Sequence, residues 1–251
     1  MVIGGRLKDA IKYVRSRGVR EFCGYAQYRV SERWHERYFG IDTEVGVELR
    51  TLGIVNPDSI DYWPTPYQAI KAAMRRIRIS NTDVFIDYGS GKGRIVTVAA
   101  TFPIRRVVGI ELSPVLAAKA RDNLIKAQNR RRCERVDVLN LDAINFALPN
   151  DATILHFFNP FHGETLRRVV AKIRESLETV PRELVILFAN PMFMEQLLQI
   201  DGTIPRGWIL GRDDVLFCHH DHRDPDHNRY RIYRIDSREP FIVSHSVERV
   251  R

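Results

Sequence analysis

An α/β fold with a mostly parallel sheet is what this 251-residue chain predicts. Three observations say so. From residue 66 to about 190, short apolar runs alternate with helix-patterned segments, the βαβ rhythm of a parallel sheet covered by helices on both faces. A glycine-rich turn, "DYGSGKGRI" (87–95), follows the first apolar run. After residue 205 the alternation stops, and two strand-like stretches joined by a polar turn close the sheet with an antiparallel hairpin.

The elements follow in order. Residues 1–38 hold nine Lys/Arg (Arg6, Lys8, Lys12, Arg15, Arg17, Arg20, Arg29, Arg33, Arg37) against four acids (Asp9, Glu21, Glu32, Glu36), an excess of five within a net +8. Leu7, Ile11 and Val14 recur at helical spacing, so residues 1–60 read as a basic helical arm or cap before a domain over 61–251. "PYQAIKAAMRRIRI" is a helix with Pro66 in its first turn. "DVFIDY" (83–88) is a buried strand, "GRIVTVAATF" a return helix, and "RVVGIEL" (106–112) a second strand. Ser113-Pro114 starts a helix over 113–129. "RVDVLNLD" (135–142), "TILHFFNP" (153–160) and "LVILFAN" (184–190) are strands, with a helix over 163–180 between the last two. "GWILGRDDVLFCHH" and "RYRIYRID" form the hairpin.

The glycine turn admits three loop chemistries. A phosphate-cradling Gly-x-x-x-x-Gly-Lys-Ser/Thr loop fails, because Ile86 stands five residues before Gly91 and Gly93 follows Lys92, so no hydroxyl is offered to magnesium. The dinucleotide pattern Gly-x-Gly-x-x-Gly fails in both frames: its third glycine is replaced by Arg94 or by Val96. What remains is Asp87-x-Gly89-Ser90-Gly91-x-Gly93. This spacing resembles the first motif of the class I S-adenosylmethionine-dependent methyltransferases, whose Rossmann-like sheet also ends in an antiparallel strand. The chemistry agrees, since a carboxylate at the strand end offsets the ammonium and sulfonium charges of that cofactor. Glu111 ends the second strand, where a carboxylate can accept both ribose hydroxyls.

The resemblance extends over about residues 66–235 and implies further roles. It places Asp142 and Ala143 beside the adenine. It places Asn159 and Phe161, in "NPF" at the end of the fourth strand, at the cofactor and the methyl acceptor; the amine-methylating pattern has a second proline that this chain lacks. Upstream, "DYWPTPYQAI" (61–70) resembles the non-SET histone lysine methyltransferases and related bacterial proteins, in which a Tyr-x-Pro-Thr loop folds over the cofactor; Tyr62, Pro64 and Thr65 match. The implied reaction is methyl transfer to an amine such as a protein lysine, with Asn159 and Phe161 as the catalytic pair. The basic arm supports RNA or DNA as the alternative acceptor.

The remaining features read as structural. Three scattered cysteines (Cys23, Cys133, Cys218), a start without a signal-peptide core and no apolar run of membrane-spanning length lead us to expect a cytoplasmic protein without disulfides. The histidine- and aspartate-rich stretch 218–228 is expected to be a hairpin turn without metal. Lys92 and Arg130–Arg132 are expected to be solvated charges, and Trp34, Tyr38 and Phe39 core residues, with the lining of a substrate lid as the alternative.

Overall fold

Five apolar runs become five parallel strands: β1 (Val84–Tyr88), β2 (Arg106–Glu111), β3 (Arg135–Asn140), β4 (Ile154–Phe158) and β5 (Glu183–Ala189). The computed structural model describes residues 14–16, 18–189, 203–216 and 229–238. Strands β6 (Ile209–Leu216) and β7 (Arg229–Asp236) pair antiparallel, and the sheet order is β3-β2-β1-β4-β5-β7-β6. The expected hairpin is present. Its second strand, β7, is the one inserted against β5, in antiparallel register.

Period-two alternation divides the core. Val84, Ile86 and Tyr88 face one side of β1, with Leu166, Val169, Val170 and Ile173 of helix α5 (Gly163–Thr179). Phe85 faces the other side, with buried residues of α2 (Tyr67–Arg76), α3 (Arg94–Ala99) and α4 (Pro114–Lys126). Helix α3 is shorter than its sequence pattern. It is buried along its whole length, so packing rather than propensity holds its β-branched residues helical. Ser113 caps α4, its hydroxyl accepting from the Leu116 N–H.

Helix α1 (Val19–Phe39) precedes the sheet and ends at Gly40 in the left-handed conformation. Glu32, His35, Glu36 and Phe39 are buried, while Arg33, Trp34, Arg37 and Tyr38 are exposed. Two expectations are thereby corrected. Trp34 and Tyr38 are not core residues, being 55% and 40% exposed. Lys92 is not a solvated charge: it is buried, donates to the Val45 carbonyl at 2.8 Å, and lies over the Tyr62 ring. Arg130 remains exposed, over the Tyr38 ring at 4.3 Å. The arm residues Arg6, Lys8, Lys12 and Arg17 and the stretch 218–228 lie outside the described residues.

Candidate functional site

The carboxyl ends of β1, β2 and β4 open onto one solvent-connected cleft, lined by the glycine turn, Glu111, Asp142 and Asn159. In this sheet order the chain leaves β1 toward β2 on one side, while β4 lies on the other, so the cleft stands where the connections part.

The floor is the glycine turn. Gly89 and Gly91 have φ of 73° and 54°. A Cβ on Gly89 would stand 2.3 Å from Pro160 Cβ, and one on Gly91 would stand 2.2 Å from the Tyr62 ring. Glycine is therefore required twice over, by the backbone and by the close approach. Gly93 caps α3 and is the one sequence-predicted site residue that does not line the cleft.

At the wall, the Glu111 carboxylate accepts from the Gly91 N–H at 2.7 Å and the Ser113 N–H at 2.8 Å. Burial pushes its pKa up, and these donors act against that shift. Each oxygen retains acceptor capacity. Asp142 caps the turn Ala143–Asn145 by accepting from the Ile144 N–H at 3.1 Å, and both Asp142 and Ala143 line the cleft.

The far wall is the end of β4. Asn159 has φ of 40°, the one positive φ outside glycine among the described residues, and its buried Oδ1 has no hydrogen-bond partner there. Such strain concentrates at functional positions. Phe161 lines the cleft with its ring edge-on to Tyr88 and Phe157.

The segment 58–65 forms the roof, spanning from the glycine turn to the end of β4. The Ile60 N–H donates to the Pro160 carbonyl and the His162 N–H to that of Asp58. Tyr62 pairs in both directions with Val47, and its hydroxyl donates to the Thr43 carbonyl at 2.9 Å. Thr65 is buried at the end of this strap.

Sequence reading did not single out three side chains that brace the site. Arg94, fully buried, reaches away from the helix–strand contact to Glu32, to Glu36 at 3.0 Å, to Thr43 Oγ1 at 2.7 Å and to the Thr65 carbonyl at 2.9 Å. It ties α1 and the strap to the glycine turn. Burial raises the pKa of Glu32 even with Arg94 beside it. The other two are His156 on β4 and Tyr230 on β7. His156 donates from Nδ1 to Asp87 Oδ1 at 2.7 Å, and the Tyr230 hydroxyl donates to its Nε2 at 2.8 Å. One signal was visible: Asp87 and His156 are polar residues inside apolar runs, and they are register partners.

Residues 60–150 match the model of the family described as histone methylation protein DOT1. The fold is that of the class I methyltransferases. This chain is 28% identical over 96 residues to an H3 lysine-79-specific histone-lysine N-methyltransferase of Drosophila melanogaster, covering 34% of this chain and 4% of that one. It is 31% identical over 68 residues to a protein-lysine N-methyltransferase of Saccharolobus islandicus, covering 27% of this chain and 42% of that one. The chain thus spans less than half the length of these relatives. Among solved structures, a precorrin 8w decarboxylase from Methanobacterium thermoautotrophicum superposes with a TM-score of 0.51 at 17% identity, over 72% of this chain and 95% of that one, a likeness of fold.

Proposed function

We propose that this chain is an S-adenosylmethionine-dependent methyltransferase whose acceptor is an amine, of the kind a protein lysine carries. The observation that carries the reading is a pair of buried acceptors without partners among the described residues, Asp87 Oδ2 and Asn159 Oδ1, both belonging to residues that line one cleft at the ends of the paired strands β1 and β4. A buried acceptor left unsatisfied costs about 1–3 kcal/mol, so such a pair suits a ligand rich in donors. The cofactor fits: its ammonium suits Asp87, its ribose hydroxyls suit Glu111, and Ala143 leaves room for a flat ring. Ser90 of the glycine turn, buried against Gly109 of β2, backs the site.

When bound, S-adenosylmethionine supplies a methyl group on a sulfonium, open to attack from the side opposite sulfur. The chain's residues then position and shield. Tyr62 and Thr65 in the strap cover the cofactor and exclude water. Asn159 Oδ1 accepts an N–H of the acceptor, which aims the nitrogen lone pair, and the Phe161 edge limits its approach. The acceptor loses its proton to solvent. Residues 1–60 act as the cap that holds the strap, and 61–251 as the transferase domain. The scattered cysteines support a cytoplasmic location, and no described helix is long and apolar enough to cross a membrane.

The two identified relatives are named for lysine methylation, which supports an amine over a nucleobase. One feature favours RNA or DNA instead: Trp34 and Tyr38 are stacked and exposed beside Arg33, Arg37 and Arg130, and aromatics interleaved with arginine suit bases and phosphates. Transfer of labelled methyl from the cofactor into a lysate, with protease and nuclease digestion of the product, separates the two. Label lost to protease supports the amine reading; label lost to nuclease overturns it.

A further inference from the structure

The Asp87–His156–Tyr230 chain is buried throughout and joins β1, β4 and β7 across the sheet, with β5 between the last two. Burial pushes the pKa of the Tyr230 hydroxyl up and keeps it a donor, so the donors run in one direction from Tyr230 to His156 and Asp87. A buried network serving stability alone would end on a satisfied atom. This one ends on Asp87 Oδ2, which is buried, has no partner among the described residues, and belongs to a residue lining the cleft.

We propose that His156, held by Tyr230, is a positioning residue for the cofactor's amino-acid moiety: it fixes one oxygen of Asp87 so that the other meets the ligand's ammonium. This rests on the cofactor reading above. The fixed carboxylate keeps its acceptor oriented before binding, which saves the ordering that a freely rotating carboxylate would undergo.

The test compares two ligands by calorimetry on the full chain. S-adenosylhomocysteine carries the ammonium; 5′-methylthioadenosine keeps the adenosine and thioether and lacks it. His156→Leu is expected to weaken S-adenosylhomocysteine roughly tenfold or more, the scale of one hydrogen bond to a charged group, and to leave methylthioadenosine within about twofold. His156→Asn, whose amide can replace the Nδ1 donor, restores most of the loss. Equal losses on both ligands, or no loss on either, overturn the inference. If His156→Leu does not fold, Tyr230→Phe carries the same comparison: a selective loss supports the proposal, and an equal loss or none overturns it. Wild-type protein that binds neither ligand overturns the cofactor reading itself.

Discussion

Glu111 carries two duties, bracing the glycine turn through the Gly91 N–H and offering its remaining lone pairs to the cleft. Its pKa lies above the ordinary 4.5 because burial outweighs the N–H donors. Only the anion accepts from two hydroxyls with full strength, so S-adenosylhomocysteine affinity is expected to fall on acidification at a pH above 4.5. Stability moves the other way on this group's account. A raised carboxyl pKa means the folded state binds the proton more tightly, so this term favours folding as pH falls through the same window. Calorimetry across pH checks this, and Glu111→Gln should bind weakly without that step. An identical pH step in the glutamine variant contradicts the assignment. Gly91→Ala is the steric counterpart. With a Cβ 2.2 Å from the Tyr62 ring and φ of 54°, the strap must lift or the turn must rearrange. We expect cofactor affinity to drop by about tenfold or more with the fold retained, read by calorimetry beside circular dichroism. Unchanged affinity would show that the turn and the strap are not in register with the ligand.

At the level of elements, α1 is tied to α3 by a buried arginine as well as by Phe39 in the apolar core. Arg94 answers both Glu32 and Glu36, and removing it leaves two buried carboxylates with neutral donors from Tyr67 and Thr43 and no cation. Such a break costs about 3–5 kcal/mol. Arg94→Leu is therefore expected to lower the melting temperature by roughly 10 °C, followed by thermal circular dichroism. A melting point within a degree or two of wild type rules out a stabilising role for the cluster. Deleting residues 1–38 removes Glu32 and Glu36 together, so with Arg94 stripped of both carboxylates the truncation is expected to destabilise the turn itself. Periodicity could not reveal this, because α1 shows its inward face as charges: Glu32 and Glu36 look solvent-facing in sequence, and the Arg94, Tyr67 and Thr43 donors that meet them in the interior come from distant positions, Arg94 from 58 and more residues away. The strands were legible for the opposite reason, as "VFIDY" and "ILHFF" bury nearly every residue and need no distant partner to explain them. Which hairpin strand meets β5 was not legible, because β6 and β7 carry similar mixed patterns.

On the surface of the molecule that α1 presents, charge is segregated. The acids at the end of α1 point inward while Arg33 and Arg37 point out, next to Trp34, Tyr38 and Arg130. If nucleic acid uses this face, affinity for single-stranded RNA falls steeply with salt, and Trp34→Ala weakens it without changing cofactor affinity. A shallow salt slope and an inert Trp34→Ala leave the amine reading alone. The site residues in the glycine turn and at Glu111 were legible because each sits at a strand end, where sequence order fixes position. Asn159 was legible only as a position, since its left-handed backbone and unpartnered oxygen depend on the strap laid across β4. The central claim is that Asp87, Glu111 and the glycine turn form an S-adenosylmethionine site. Titration of the full chain with S-adenosylhomocysteine, wild type beside Glu111→Ala, tests it most directly. The account predicts one binding site in the wild type and at least about a tenfold loss in the variant; a folded wild type that binds none, or a folded Glu111→Ala that binds equally well, contradicts it.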